Sequence, residues 1–281
     1  MNGATVTQEE LPVTIITPPK KWIPVNLTEL WAYHELLYIF TWRDVKLRYK
    51  QTALGAAWAI IQPLFAMVIF TVIFGGLAKI PSDGVPYPLF SLAALIPWTL
   101  FAEGLTRSTL SMVQNQNILT KVYFPRLIMP LSGILSPLVD FCVSFLILAL
   151  MMLYFGFALT INIIFLPLFI VFAVITSLSV GIWLSALNVM YRDFQYTVPF
   201  LIQVLLYASP VVYPSSLLPE KWQILYGLNP MAGVIEGFRW SLLGTTPPGG
   251  MIWLSLGVVF LLLVTGIFYF RRVEQYYADI V

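Results

Sequence analysis

Five charged side chains lie within or beside strongly apolar stretches of this 281-residue sequence. Glu103 and Arg107 are four residues apart, so on a helix they share one face and can form an ion pair. Asp140 lies in a later apolar stretch, and Glu236 and Arg239 are three residues apart. A charge at the centre of a membrane helix costs about 2.5–3.5 kcal/mol on insertion scales, so these groups need partners or a water-filled cavity.

Three of these charges are predicted to lie at a similar depth. A helix that starts near Arg126 places Asp140 about 21 Å along its axis, close to the depth of Glu103 and Arg107. We therefore expect a structural charge network between the two helices that carry them. A proton or ion pathway is the alternative role of the same residues.

The sequence lacks the short motifs of nucleotide-binding and hydrolytic enzymes. It contains no GxxxxGK[ST] phosphate loop and no GxGxxG, HExxH or GxSxG. His34 is the only histidine and Cys142 the only cysteine, so no metal site and no disulfide framework are expected. The chain is not expected to be an enzyme or to hold a cofactor, and a partner subunit must bind any ATP and Mg²⁺.

Composition places the chain in the membrane. It is 59% hydrophobic with only 10% charged residues, whereas soluble domains carry about 25%. The net charge of +2 is too small for a nucleic-acid-binding surface. We expect an all-α polytopic membrane protein with a six-helix transmembrane domain over residues 53–272. The six predicted spans are 53–74, 88–111, 127–155, 161–187, 194–213 and 251–270.

The distribution of basic residues predicts the orientation. With both termini in the cytosol, twelve Lys and Arg residues lie on or near the inner side and three, Lys79, Lys221 and Arg239, lie outside. Such an asymmetry is typical of bacterial inner-membrane proteins. Residues 1–26, which have no apolar signal segment, and residues 273–281 are predicted to be cytosolic tails.

A segment rich in Trp and Tyr precedes the first span. We predict that residues 27–52 form an amphipathic interface helix, as two short helices or one helix partly covered by protein, because residues 36–40 are continuously apolar. Its aromatic residues favour the membrane interface and its cations favour anionic lipid headgroups. Those cations are Arg43, Lys46, Arg48 and Lys50.

Two connections are too structured for simple turns. The inner loop between the second and third spans is long enough for a short helix that ends at Pro125. The outer segment 214–250 is too polar to span the membrane, yet it contains a helical pattern. We expect short re-entrant helices there, joined through Asn229-Pro230 and carrying Glu236 and Arg239.

Aromatic residues make up 15% of the chain, and some recur at helical spacing. Trp98 and Phe101 form one such set, and Tyr196, Phe200 and Tyr207 form another. Core packing is the simpler interpretation. The alternative is a slide for sugar rings, whose apolar faces stack on aromatic planes.

Several strings together resemble one protein family. They are RDVKLRYKQTALGAAWAIIQPLF, LTKVYFPRLIMPLS, LNVMYRDFQYTVPFLIQVLLYASPVVYP, LNPMAGVIEGFRWSLLG and RRVEQYYADIV. Their order over about 250 residues is similar to that in the transmembrane permease subunit of the ABC-2-type polysaccharide exporters, which handle O-antigen, capsule and teichoic acid polymers.

The resemblance implies a homodimer with two copies of a nucleotide-binding ATPase subunit docked on the cytosolic side. Residues 115–124 match the coupling helix, residues 191–193 match a second ATPase contact, and the outer hairpin matches the gate helices. The implied ATPase contacts are Asn117, Leu119, Lys121, Tyr123, Phe124, Arg126, Tyr191, Arg192 and Asp193. The implied gate residues are Asn229, Pro230, Glu236 and Arg239.

The resemblance also implies a channel at the dimer interface, formed chiefly by the first and fifth spans, for a lipid-linked polysaccharide. The candidate sugar contacts are Trp58, Tyr196, Phe200, Tyr207 and Tyr213. A permease for a drug or antibiotic is the alternative within the same transport class. A membrane-embedded glycosyltransferase is less consistent with the sequence, because its acidic residues are scattered. A secondary transporter is also less consistent, because the sequence has no internal repeats.

Overall fold

The computed structural model describes residues 27–50, 57–158 and 160–276, which contain helices and no β-strand. The prediction of an all-α fold is confirmed. The predicted tail 1–26, residues 51–56, where the predicted interface helix meets the first predicted span, and the last residues, 277–281, lie outside the described chain. The helices are α1 (Leu27–Ala32), α2 (His34–Lys50), α3 (Ala57–Phe70), α4 (Tyr87–Gln114), α5 (Gln116–Leu119), α6 (Ile128–Leu135), α7 (Leu138–Tyr154), α8 (Leu166–Met190), α9 (Phe194–Ala208), α10 (Glu220–Tyr226), α11 (Pro230–Leu243) and α12 (Met251–Glu274).

The helix α4 forms the centre of the bundle. It packs against α3, α6, α7, α8, α9 and α11, and most of its side chains are buried. Its 28 residues extend over about 42 Å at about 1.5 Å per residue, which exceeds the bilayer core of about 30 Å. The helix α4 can therefore connect features at both faces of the membrane.

Five helical stretches of the described chain are long and apolar enough to cross a membrane, which makes this a multi-pass membrane protein. They are Ala57–Leu77, Tyr87–Gln114, Ile128–Tyr154, Ile161–Met190 and Met251–Glu274. The first includes the π-helical turn Thr71–Leu77 that continues α3, and the fourth includes the 3₁₀ turn Ile161–Phe165 before α8.

Two predicted spans differ from the structure. The span predicted over 194–213 is helical only over the 15 residues of α9, because Pro210 keeps Ser209 in an extended conformation. This helix is about 22 Å long, so the count of six spans remains a prediction. The span predicted over 127–155 is present as the apolar stretch Ile128–Tyr154, but two helices, α6 and α7, form it. Their break lies at Ser136-Pro137, where proline interrupts helical hydrogen bonding.

The two ends of the bundle have different structures. At one end, which we call the α2 end, a hydrophobic cluster joins α2 to α6, α8 and the last turns of α4 and α12. At the opposite end, the α10 end, α10 and α11 cover the bundle and α10 packs on α12. The segment predicted as an interface helix is the pair α1 and α2.

Close packing of α4 and α6 depends on Gly133. A Cβ atom at this position would lie 2.8 Å from the backbone nitrogen of Ser108 and 2.9 Å from the carbonyl carbon of Arg107. Small residues of this kind allow membrane helices to approach closely. By contrast, a Cβ atom at Gly257 of α12 would meet no atom within 4 Å.

Gly133→Ala is therefore expected to destabilise the bundle by about 1–3 kcal/mol, because two backbones must separate to admit the methyl group. The measurement is the midpoint of thermal unfolding in detergent, followed by size-exclusion chromatography. Gly257→Ala is the control and should leave the midpoint close to that of the unmodified protein. Equal midpoints for the two variants would contradict this packing.

Candidate functional site

A cluster of charged side chains connects α2 to two helices of the bundle. Arg48 donates through Nη1 to Oε2 of Glu103 in α4 at 3.1 Å and also pairs with Asp140 in α7. Glu103 accepts a second bond from Nε of Arg107 at 3.3 Å. The hydroxyl of Tyr49 donates to Asp140. We call these five residues the charged junction.

Partial burial strengthens the interactions in the charged junction. The side chains of Arg48, Glu103 and Asp140 are 23%, 33% and 17% exposed, respectively, so water screens them less than surface pairs. Burial, together with the hydrogen bond to Asp140, raises the pKa of Tyr49 to about 12. The tyrosine hydroxyl, which is protonated at neutral pH even at its ordinary pKa, therefore remains a donor to higher pH.

A small cavity adjoins the charged junction. It has a volume of about 80 Å³ and is lined by Arg48, Glu103 and Asp140, by the polar Gln62 and Thr99, and by apolar side chains that make up most of the wall. The volume and these polar groups are sufficient for ordered water beside the charges. The charges therefore have partners and adjoin a cavity that is polar on their side.

The structure brings together the three charges that the sequence placed at one depth, but the connection differs from the expected one. Arg48 joins Asp140 to Glu103, whereas the sequence interpretation assigned Arg48 to lipid. Lys46 and Lys50 are exposed. Arg43 pairs with Asp44 at 2.8 Å. Only some of the four cations are therefore free to face lipid headgroups.

The loop predicted to couple to an ATPase lies at the α2 end. Its short helix, α5, ends at Leu119 and not at Pro125 as predicted. Lys121 and Asn117 are exposed, whereas Leu119 and Phe124 are buried. The loop thus presents two polar side chains and anchors itself with two apolar ones.

Two hydrogen bonds attach this loop to the rest of the α2 end. Arg126 donates through Nη1 to the carbonyl oxygen of Glu274, in the last turn of α12, at 2.7 Å. The hydroxyl of Tyr123 donates to Oε1 of Glu29 in α1 at 3.1 Å, and burial and this carboxylate raise the pKa of Tyr123. Arg126 thus binds within the chain, whereas the sequence assigned it to an external contact.

The second predicted contact lies at the same end. Tyr191, Arg192 and Asp193 connect α8 to α9, and all three are exposed. Their position allows a partner bound at the α2 end to reach the start of α9 directly.

The aromatic residues predicted to line a channel lie mainly on two helices that pack on α4. Trp58 on α3 is 51% exposed, and Tyr196 and Phe200 on α9 are 75% and 64% exposed. Tyr207 is also exposed. Tyr213 lies beyond α9 and contacts the hydroxyl of Tyr226 at 2.8 Å. The uncovered faces of α3 and α9 therefore carry aromatic residues among aliphatic ones.

The other aromatic set is core. Trp98 and Phe101 are 4% and 2% exposed, respectively, and their ring centroids lie 5.6 Å apart. This favours the packing interpretation for α4. The slide interpretation applies only to the exposed faces of α3 and α9.

The residues predicted to lie on gate helices begin and stabilise α11. Asn229 caps the helix by accepting a bond from the backbone nitrogen of Met231 at 3.1 Å, and Pro230 follows in the first turn. Glu236 and Arg239 are 3% and 0% exposed. These two side chains thus belong to the interior of the bundle.

Sequence reasoning missed Tyr49 and the contact between Phe40 and Phe124, whose ring centroids lie 5.7 Å apart. The spacing of residues in α2 gave no signal for this arrangement. Phe40 and Val45 are both buried, but five residues separate them, which is about 140° around a helix, so they form no narrow stripe. The four cations could therefore not be told apart from their positions in the sequence.

Comparisons with known proteins match most of the chain. Residues 35–243 match the family model described as ABC-2 type transporter. An O-antigen export system permease protein from Klebsiella pneumoniae is 28% identical over 247 residues, covering 88% of this chain and 95% of the relative. One from Myxococcus xanthus is 26% identical, covering 88% and 96%, respectively. A polysialic acid transport protein from Escherichia coli is 26% identical, covering 69% and 76%.

Proposed function

Because the chain belongs to the ABC-2 type transporter family, we propose that it is the permease subunit of an ATP-driven exporter that moves a lipid-linked polysaccharide across the bacterial cytoplasmic membrane. The observation that carries this proposal is its similarity, over 88% of the chain, to proteins named as O-antigen export permeases. In this family a separate subunit carries the ATPase.

The exposed aromatic residues on the uncovered faces of α3 and α9 support a homodimeric arrangement. One subunit is small to enclose a path wide enough for a hydrated sugar chain, whereas two copies can line a path between them. Trp58, Tyr196, Phe200 and Tyr207 would then offer flat apolar surfaces to sugar rings. Tyr213, which is partly buried, would lie beside the end of that path.

Both termini are proposed to be cytosolic, with the α2 end facing the ATPase. Two ATPase subunits bind the α5–α6 loop and residues 191–193 of the two permease copies. When the two ATPase subunits bind ATP and close, they move this loop. The movement reaches α2 through the hydrophobic cluster that joins the loop to α2. Exposed Lys46 and Lys50 hold α2 on anionic lipid.

The direct test is copurification of the tagged permease with the ATPase subunit encoded in the same genome. Lys121→Glu is expected to reduce export about tenfold or more while the permease stays in the membrane, because the exposed lysine meets the ATPase. Lys79→Glu reverses an exposed charge in the loop after α3 and should leave export unchanged. A permease that is active alone, without the ATPase, would overturn the proposal.

A further inference from the structure

The chain beyond α9 is held by side chains through three consecutive backbone carbonyls. Arg239 donates through Nη1 to the carbonyl of Pro210 at 2.6 Å and through Nη2 to that of Val211 at 2.9 Å. The hydroxyl of Tyr87 donates to the carbonyl of Val212 at 2.7 Å. Non-helical backbone at membrane depth requires such partners. We call residues 209–215 the linker segment.

Arg239 is the centre of this arrangement. It has no exposed surface, and its guanidinium lies 3.5 Å from the centroid of the Phe90 ring in α4. It also donates through Nη1 to Oε1 of Glu236 at 3.4 Å. That same carboxylate oxygen accepts a bond from the backbone nitrogen of Ser215 at 3.0 Å. One ion pair of α11 thus holds both ends of the linker segment.

Asn229 adds a further attachment where α9 ends. Its side-chain amide donates to the carbonyl of Ala208 at 3.1 Å and to the hydroxyl of Ser209 at 2.8 Å. The last residue of α9 and the first of the linker segment are therefore fixed to the start of α11. The residues from 209 to 212 are all buried.

The body of α9 is attached in a different way. Within its 15 residues only Val198 is buried, and Phe194, Ile202, Leu205 and Leu206 are half-buried against the core. Its first residue follows the exposed Tyr191–Asp193 connection at the α2 end. The helix is therefore held by side-chain hydrogen bonds at one end and by a single apolar stripe along its length.

From this contrast we infer that Arg239 is a positioning residue for transport. It holds the linker segment in place, so Ser209 is the pivot about which α9 tilts when the ATPase moves the end of α9 that lies at the α2 end. The inference rests on the proposed function, because the ATPase supplies the movement. The end of α9 beside Tyr213 stays fixed while the end beside Tyr196 swings. The path then widens from the α2 end, and the α10 end keeps its shape.

A rigid tilt of α9 about Ser209 predicts how far two of its residues move relative to each other. Tyr196 is thirteen residues from Ser209 (209 − 196) and Tyr207 is two (209 − 207). At about 1.5 Å per residue, a rigid tilt about Ser209 moves the former about six times as far as the latter. A tilt of about 10° displaces Tyr196 by about 3 Å and Tyr207 by less than about 1 Å.

The experiment uses the whole complex of permease and ATPase. In a Cys142→Ala background, which removes the sole cysteine, single-chain spin-label pairs join Leu168→Cys on α8 to either Tyr196→Cys or Tyr207→Cys. Labelled permease is diluted with unlabelled copies so that distances within one chain are read. Distances are compared without nucleotide and after ATP hydrolysis in the presence of vanadate, which traps ADP in the ATPase.

We expect the distance between the spin labels at positions 168 and 196 to change on nucleotide trapping. The distance between the labels at positions 168 and 207 should stay nearly constant. In Arg239→Gln the two changes should become similar, and Arg239→Lys should restore part of the difference because lysine keeps the charge. Arg271→Gln removes another arginine paired at three-residue spacing and should preserve the native ratio. If Arg239→Gln does not fold, the complex with native Arg239 still tests the pivot, because it gives the ratio of the distance change at position 196 to that at position 207.

An equal or larger change at position 207, or none at position 196, would overturn the pivot. A permease that does not copurify with the ATPase would overturn the proposed function, and the pivot with it, before any label is attached.

Discussion

Replacing Arg48 with glutamate is expected to reduce polysaccharide export to near background while the permease still reaches the membrane. Arg48 joins α2 to Glu103 and Asp140 on two different helices. The reversal places three carboxylates together, and Arg107 is the cation that remains in the charged junction to offset them. Removing one member of a buried ion pair costs about 3–5 kcal/mol, and partial exposure lowers the expected cost to about 1–3 kcal/mol.

Lys46→Glu and Lys50→Glu are the matched controls for Arg48→Glu. They reverse the same charge on the same helix, but both lysines are exposed. The measurement is the amount of polymer at the cell surface, normalised to the amount of permease in the membrane. We expect a large loss for position 48 alone. Comparable losses at all three positions would show that lipid attraction, and not the charged junction, is what α2 requires.

Phe124→Ala is expected to uncouple ATP hydrolysis from export, with export falling about tenfold or more. The Phe124 ring is 4% exposed and packs on Phe40 of α2, so it is the apolar link between the predicted coupling loop and that helix. Truncating a buried phenylalanine to alanine costs about 3–5 kcal/mol and leaves a cavity. Movement of the loop is then no longer transmitted to α2.

Val122→Ala is the control for Phe124→Ala, because Val122 lies in the same loop and is exposed. The measurements are ATP hydrolysis by the reconstituted complex and export in cells. Hydrolysis should persist in Phe124→Ala at a level similar to that of Val122→Ala, while export differs. If the Phe124→Ala complex exports normally, the movement does not pass through this ring.

Periodicity and charge predicted much of the fold because a membrane imposes simple rules. Apolar stretches of about 20 residues must form helices, since the bilayer offers no partners for free backbone groups. The helices therefore followed from local composition. Backbone geometry decided where the helices break within the predicted spans. Proline at 137 separates α6 from α7, and proline at 210 ends α9 at Ala208.

The sequence by itself determined that the chain is a helical membrane protein and that Glu103, Arg107 and Asp140 require partners, because the cost of burying charge depends only on residue type and depth. Only the tertiary structure decided which partners they have. Arg48 and Lys50 are two residues apart in the same basic cluster, yet one turns inward to α4 and α7 and the other faces outward. The direction depends on the rotation of α2, which is set by the packing of Phe40 against residues distant in sequence, Phe124 among them.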